Sequence, residues 1–229
     1  MNSVQYINGF ESEVLLIGIA ERKEREKAEM REKILNSARE IVKSSGVDKI
    51  SIRKIANMIE YSPAIVYHYF KNKEEIIEIL IDESYNEILY ALTPLDSCNR
   101  TVEEILRESG RKFITLAVQM GDTYKSMMLN DSPTVLSHTS VLQRGAASER
   151  PAIALLCKTL REFPGFSEAD ETQVELTAQI IWSAAFGLAL RLIVENVDEA
   201  QKQRLIDHTA EFALNALKGL ADQNREEGK

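Results

Sequence analysis

The sequence predicts an all-α protein in which a small N-terminal unit of three helices precedes a larger helical body. Apolar residues recur with the helical period in nearly every segment, and no long alternating pattern typical of a strand is present. Proline and glycine are scarce, at 5 and 10 of 229 residues. Helix-favouring Ala, Leu, Ile, Glu and Lys dominate instead. The chain is long enough for one or two domains with a sizeable core.

The N-terminal unit is predicted from caps and helix-ending residues. A first helix is expected at about 24–44, because one face is apolar and Gly46 follows as a C-terminal glycine. Ser51 is a good cap for a short helix at about 52–59. A serine followed by proline then starts a third helix over about 62–70.

The body is predicted to consist of longer helices. Asn72 is followed by a glutamate three residues later, a form of capping box, and opens a helix that Thr93-Pro94 stops near Leu92. The stretch 131–150 is poor in large apolar residues and is expected to form a mobile loop. Further helices are predicted at about 101–120, 122–130, 134–162, 168–196 and 199–221. The helix at 134–162 is interrupted by Gly145 and Pro151.

Charge is distributed unevenly along the chain, whose net charge is −8. Residues 21–73 hold 13 basic and 8 acidic residues, a net charge of +5, so the remainder carries −13. A basic module on an acidic body indicates a contact with nucleic acid.

Two short helices in succession within fifty residues are what a helix-turn-helix requires: one braces the other, which enters the major groove of DNA. Its small predicted core consists of Ile50, Ile52, Ile55, Ala56, Val66 and Phe70.

A pattern of residues supports this interpretation: Ile34, Leu35, Ala38, Gly46, the segment 51–56, Ser62-Pro63, and the ending Tyr67-x-x-Phe70-x-x-Lys73. Over about residues 31–80 it resembles closely the head of the TetR (TetR/AcrR) family. The resemblance implies that the head is carried on a larger all-helical body that binds a ligand and dimerises. Accordingly, 1–20 is predicted as an extension, 21–72 as the DNA-binding domain and 73–229 as the effector-binding and dimerisation domain.

Glu60 departs from the family pattern, which usually has glycine in the turn between the paired helices. A left-handed backbone there would cost a residue with a side chain roughly 1 kcal/mol. Alternatively, the turn relaxes and tilts the recognition helix.

Eight residues are predicted to contact DNA. Helix N-termini and basic side chains suit phosphates, small or apolar groups suit thymine methyls, and the family pattern implies a phosphate contact for the tyrosine. These residues are Ser51, Arg53, Ser62, Ala64, Ile65, Tyr67, His68 and Lys73. Serines at these positions would also cap helices in any protein, and the histidine is notable only inside the motif.

The last two long helices, about 168–221, are predicted to form a homodimer interface, as the resemblance implies. The segment 182–190 resembles the tryptophan/His-Gly (WHG) signature of one TetR C-terminal subtype, with Phe186 in place of its histidine. The alternative is that these helices bury their apolar faces against their own chain.

An apolar effector pocket is predicted among the middle helices, with Phe113, Leu116, Met120, Tyr124, Met127, Met128 and Trp182 as its lining. Such clusters are more often plain core. His138 and Arg144 are predicted to gate the pocket or recognise a polar group.

The sequence predicts neither an enzyme nor a cofactor or metal site, because phosphate-binding glycine loops, nucleophile elbows and zinc-spaced clusters are lacking. The apolar run 14–20 follows acidic residues, so neither a secretory signal nor a membrane span is expected. Two distant cysteines, Cys98 and Cys157, suit a reducing cytoplasm.

The expected function is that of a dimeric repressor, released from a palindromic double-stranded DNA operator by a small-molecule effector. Two alternatives stay open: a helical small-molecule-binding protein whose head no longer binds DNA, and a scaffold on which the run 14–20 docks a partner.

Overall fold

The computed structural model describes the backbone of residues 4–93 and 100–227, and all secondary structure in these ranges is helical, as predicted. Contacts divide the chain into two compact units, Met1–Ile76 and Ile77–Lys229. The helices are α1 (Val4–Ser45), α2 (Ile52–Ile59), α3 (Pro63–Tyr69), α4 (Lys73–Leu92), α5 (Val102–Met120), α6 (Asp122–Met128), α7 (Pro133–Thr139), α8 (Ala146–Glu149), α9 (Pro151–Arg161), α10 (Glu171–Glu195) and α11 (Glu199–Glu227).

In the first unit, α1, α2 and α3 pack around a small aliphatic core. Gly46 ends α1 with φ 89°, and its amide donates to the Val42 carbonyl over 2.9 Å. The bounds predicted for α2 and α3 are confirmed to within one residue. The predicted core is confirmed too, because its six members are all buried: Ile50, Ile52, Ile55, Ala56, Val66 and Phe70.

Helix α1 begins at Val4 rather than at the predicted residue 24. Ion pairs one turn apart favour continuation through its charged stretch, with Arg22 Nε 2.7 Å from a Glu26 carboxylate oxygen. The side chains of residues 1–20 lie outside the described part of the structure, and so does the docking role suggested for 14–20.

The second unit is built around α5, which packs against both α10 and α11, while α9 packs against α10. A capping box of Thr101 and Glu104 starts α5, and Asp170 caps α10, which therefore begins at Glu171 rather than at 168. The most deeply buried large residues of this core include Ile114, Tyr124, Ile153, Leu160, Phe166 and Leu217.

The single helix predicted at 134–162 is wrong, because three helices, α7, α8 and α9, occupy this part of the chain. Gly145 adopts φ 82°, and Pro151 lacks the amide hydrogen that an uninterrupted helix would need. The mobile loop predicted at 131–150 is not what the structure shows either, since it contains α7 and α8.

Two side chains of α10 hold the connection between α7 and α8 in place. The buried Gln179 amide donates to the Val141 carbonyl over 2.9 Å and to the Gln143 carbonyl over 3.0 Å. One turn earlier, the Glu175 carboxylate accepts from the Gly145 amide over 3.2 Å. The connection is therefore bound to the core of the unit.

Helix α10 is, by length and composition, apolar enough to cross a membrane. Its buried residues, such as Ala178, Trp182 and Ala189, face the core of the unit. Other large apolar residues on the same helix are exposed, including Leu176, Ile180 and Val194. Some apolar side chains of α10 are thus buried in the core, and others lie on an exposed face.

Candidate DNA-binding and effector sites

The turn between α2 and α3 keeps the left-handed backbone, the first of the two predicted alternatives. Glu60 has φ 63° and ψ 40°. The Tyr61 amide donates to the Ala56 carbonyl over 3.0 Å, which closes the end of α2 as a Schellman-type turn does. The position thus has the conformation that favours glycine, and it carries glutamate.

The two serines before the paired helices use their hydroxyls differently. Ser51 caps α2, because its Oγ accepts from the Lys54 amide over 3.2 Å. Ser62 precedes α3 with extended backbone, and within the described chain its side chain makes no cap hydrogen bond. The exposed Ser62 hydroxyl therefore remains available to another molecule.

One face of α3 is buried and the other is exposed. Val66 packs in the head core, whereas Ala64, Tyr67 and His68 are exposed, and Ile65 is half-buried. The Tyr67 side chain is 57 % exposed although it is large and aromatic. An exposed aromatic residue on a short helix is typical of a contact surface rather than of a core.

The two predicted cationic contacts are exposed as well. Arg53 lies in the first turn of α2. Lys73 begins α4, with its Nζ 3.9 Å from a carboxylate oxygen of Glu74. Asn72 caps this helix by accepting from the Glu75 amide over 2.9 Å. The structure brings all eight predicted contact residues into the first unit, and their roles on DNA stay predictions.

Other cations of the head have structural partners. The Arg31 guanidinium lies 4.4 Å from the centre of the Phe70 ring. Lys33 donates to the Ile59 carbonyl over 3.2 Å and lies 4.9 Å from the centre of the Tyr61 ring. Tyr61 is 43 % exposed beside the turn and was not predicted as a contact. A large aromatic residue inside a turn was the signal that could have identified it.

The second unit contains a cavity of about 360 Å³ between α5, α9, α10 and α11. Of the seven predicted effector residues, Phe113 and Trp182 line it. A separate cavity of about 20 Å³ beside α4 is lined by Met120, Tyr124, Met127 and Met128. Leu116 lines neither of these two cavities, so the structure divides the predicted set.

An aromatic cluster links the two groups. The rings of Phe113 and Trp182 lie 4.6 Å apart, and the Tyr124 ring lies 6.3 Å from Phe113 and 6.1 Å from Phe186. The Tyr124 hydroxyl is buried and has no hydrogen-bond partner among the described residues. Burial raises the pKa of this hydroxyl, which stays neutral.

Sequence reasoning missed most of the larger cavity's lining. α5 contributes Gly110, and α11 contributes Thr209, Phe212 and Ala213. Small residues, threonines and leucines carry no pattern that distinguishes a cavity wall from ordinary helix packing. A glycine inside a helix, Gly110, was the one residue in the sequence that could have indicated this cavity.

The remaining candidates have other roles. His138 Nδ1 lies 3.0 Å from a carboxylate oxygen of Asp82, and neither His138 nor Arg144 lines the larger cavity. Cys157 is a free, half-buried thiol whose pKa burial raises, and Cys98 lies outside the described residues. Among the side chains that the structure describes, no cluster of three or more His, Cys, Asp or Glu residues could hold a metal ion.

Residues 34–80 match the family model described as bacterial regulatory proteins of the tetR family. The structure resembles a transcriptional regulator from Pseudomonas aeruginosa PAO1, with 18% identity, a TM-score of 0.65, and coverage of 89% of this chain and 94% of that one. A TetR-like transcriptional regulator from Rhodococcus sp. RHA1 is 20% identical, with a TM-score of 0.56, and the match covers 81% of this chain and 96% of that one. The TetR-family repressor FadR of Thermus thermophilus, in complex with lauroyl-CoA, is 20% identical, with a TM-score of 0.53, and the match covers 83% of this chain and 94% of that one. No curated protein matches the chain.

Proposed function

We propose, from the premise that this chain belongs to the tetR family of bacterial regulatory proteins, that it is a dimeric cytoplasmic repressor released from a palindromic DNA operator by a small-molecule effector. The observation that carries the proposal is the exposed face of α3. This face combines a hydroxyl not used for capping with exposed small and aromatic side chains. The proposed role is regulation and not catalysis.

On DNA, α3 enters the major groove while α2 braces it. Ser62, Ala64 and Ile65, at the start of α3, meet base edges. Tyr67 and His68 lie against the groove wall or the backbone. Three contacts bind phosphates and give affinity without sequence preference: the N-terminus of α2 at Ser51, the Arg53 guanidinium and the Lys73 ammonium.

Dimerisation is supported by an apolar face that α10 and α11 leave exposed. Ile180 is 69 % exposed and Phe212 67 % exposed, and Leu176, Val194 and Leu220 are exposed too. Contiguous exposed apolar residues indicate a protein–protein contact. A second copy on this face would supply the second head that a palindromic operator needs.

The effector binds in the second unit and weakens DNA binding by favouring a different arrangement of the two heads. Its coupling with DNA is reciprocal and typically amounts to about 1–3 kcal/mol. Support comes from the apolar cavity of this unit and from the structural neighbour FadR, whose structure is a complex with lauroyl-CoA. Helix α4 runs without a break from Lys73 to Leu92, past the boundary at Ile76, and is the proposed lever.

The test is a titration of labelled upstream DNA at several salt concentrations with the wild type and with Tyr67→Ala, Lys73→Ala. We expect site-selective binding by the wild type, with affinity falling steeply as salt rises. The double variant should bind at least about tenfold more weakly, and its salt slope should decrease by roughly one unit, because Lys73 is the one cationic phosphate contact that it loses.

The matched control is Tyr90→Ala, Lys158→Ala, which removes an exposed tyrosine and an exposed lysine from the second unit. It should bind as the wild type does. If wild type, variant and control all bind weakly and without site preference at this and at other genomic sites, the repressor proposal is wrong. The helical small-molecule-binding protein then becomes the better interpretation.

A further inference from the structure

We infer that the larger cavity, between α5, α9, α10 and α11, binds an uncharged, mostly apolar molecule. One hydrogen-bond acceptor of this molecule pairs with the indole N–H of Trp182. That this molecule acts as the effector rests on the proposed function. The binding site itself follows from the lining of the cavity.

No charged side chain is found among the described residues that line the cavity. Its polar side chains, apart from Trp182, are the hydroxyls of Ser109, Thr159, Thr177 and Thr209. An ionised ligand would lose its hydration here without gaining a countercharge, which strongly disfavours its binding. The lining therefore selects uncharged molecules.

The hydroxyl protons of the lining are already engaged. Thr159, Thr177 and Thr209 each donate to the carbonyl four residues earlier in their own helix, over 2.8–2.9 Å. The Ser109 hydroxyl faces the Leu92 carbonyl at 3.4 Å. These hydroxyls have no second proton to offer, so they do not serve as donors to a carboxylate or a phosphate.

Trp182 supplies the remaining donor. It lines the cavity, its side chain is 7 % exposed, and its indole N–H has no acceptor among the residues that the structure describes. The indole nitrogen keeps some accessible surface, and an indole N–H at an apolar site usually has a hydrogen-bond partner. A carbonyl, ether or hydroxyl oxygen of the ligand would provide it, while the rest of the ligand contacts leucine, alanine and phenylalanine side chains.

One wall of the cavity lies on the apolar face proposed for dimerisation. Ile180 and Phe212 line it and are more than half exposed in the single chain, so a second copy on this face would cover that side of the cavity. A volume of about 360 Å³ lies within the usual range of small-molecule sites, roughly 300–1,000 Å³.

The test uses full-length protein without DNA and the dye pair N-phenylnaphthylamine and anilinonaphthalene sulfonate, which differ by one sulfonate. Trp182 is the one tryptophan of the chain, so energy transfer from it reports a dye bound nearby. We expect saturable energy transfer to the uncharged dye. The anionic dye should bind at least about tenfold more weakly. Equal affinity for both dyes, or no saturable binding of the uncharged dye, would overturn the inference.

Gly110→Leu tests the location. Gly110 lines the cavity and has open space where a side chain would begin, so leucine places its side chain at the wall of the cavity. Gly219→Leu is the matched control, a helical glycine with equal space that does not line the cavity. The first variant should lose dye binding at least tenfold while both stay folded by circular dichroism. Unchanged binding in Gly110→Leu would place the dye elsewhere and contradict the inference.

Trp182→Phe tests the hydrogen bond with the uncharged ketone dye prodan, whose emission shifts to the red when its carbonyl accepts one. The variant should bind prodan with blue-shifted emission, and identical emission in variant and wild type would refute the role of the indole. None of these measurements includes DNA. Failure of the repressor proposal would therefore appear in the DNA titration alone, and failure of this inference in the dye titrations alone.

Discussion

Glu60 combines a left-handed backbone with a side chain and a negative charge, at the turn between the two proposed DNA-binding helices. For a residue with a Cβ this conformation costs about 1–2 kcal/mol relative to right-handed backbone. Glycine removes that cost but adds freedom to the unfolded chain, worth about 0.4–1 kcal/mol. The backbone term is the larger one, so a net gain in stability remains.

We therefore expect Glu60→Gly to increase the free energy of unfolding by up to about 1 kcal/mol, measured by urea denaturation. Glu60→Ala is the control, because it removes the charge and keeps the Cβ. Its stability should stay close to that of the wild type, while both variants should bind DNA more tightly at low salt. A loss of stability in the glycine variant would show that the turn carries no strain.

The predicted DNA contacts illustrate which side chains are readable from sequence. Ser51, Ser62 and Pro63 are informative because caps and first-turn prolines act locally, within a few residues. That Ser51 is engaged as a cap and Ser62 is not depends on the geometry of each turn, which residue types alone do not reveal.

At the scale of elements, α9 has an unusual cap. Its N-cap residue, Arg150, makes no side-chain cap hydrogen bond, and the Ala152 amide instead donates to the Tyr85 hydroxyl of α4 over 3.1 Å. Burial is the main cause that raises the pKa of the Tyr85 hydroxyl. One helix is thus capped by a side chain from another, distant in sequence.

We expect Tyr85→Phe to lower the free energy of unfolding by about 1–2 kcal/mol, because the buried Ala152 amide loses its acceptor. Tyr124→Phe is the matched variant. It removes a buried hydroxyl that has no partner in the described chain, and it should leave stability unchanged or raise it by about 1 kcal/mol. Chemical denaturation of both variants checks the pair, and equal losses would contradict the capping role.

The helices themselves were largely predictable because their ends carry local signals. Thr93 ended α4 as expected, and the amphipathic pattern located α5, α10 and α11. The segment 134–162 was not predictable in detail, since Gln179 and Glu175 fix the connection between α7 and α8 from another helix. The start of α1 was missed because its charged stretch lacks the apolar periodicity on which the prediction depended.

At the scale of the whole molecule, the proposed dimer depends on the exposed apolar face of α10 and α11. We expect Ile180→Lys, Phe212→Lys to be monomeric in sedimentation velocity, because two charges cannot be buried unpaired between subunits. On a palindromic operator this variant should bind at least about tenfold more weakly than the wild type, and on a half-site the two should bind alike.

Leu129→Lys, Leu142→Lys is the control for this pair. Both leucines are exposed, at 62 % and 68 %, and neither lies on α10 or α11. This variant should remain dimeric. A dimer that persists in Ile180→Lys, Phe212→Lys would place the subunit contact on another surface.

The left-handed glutamate also has a genetic consequence. Both glutamate codons become glycine codons through a single A-to-G change, so the relaxed turn lies one point mutation away from the present sequence. Such a change leaves every residue of the second unit untouched. Under the proposed function, one transition in one codon would therefore change operator occupancy without changing the effector site.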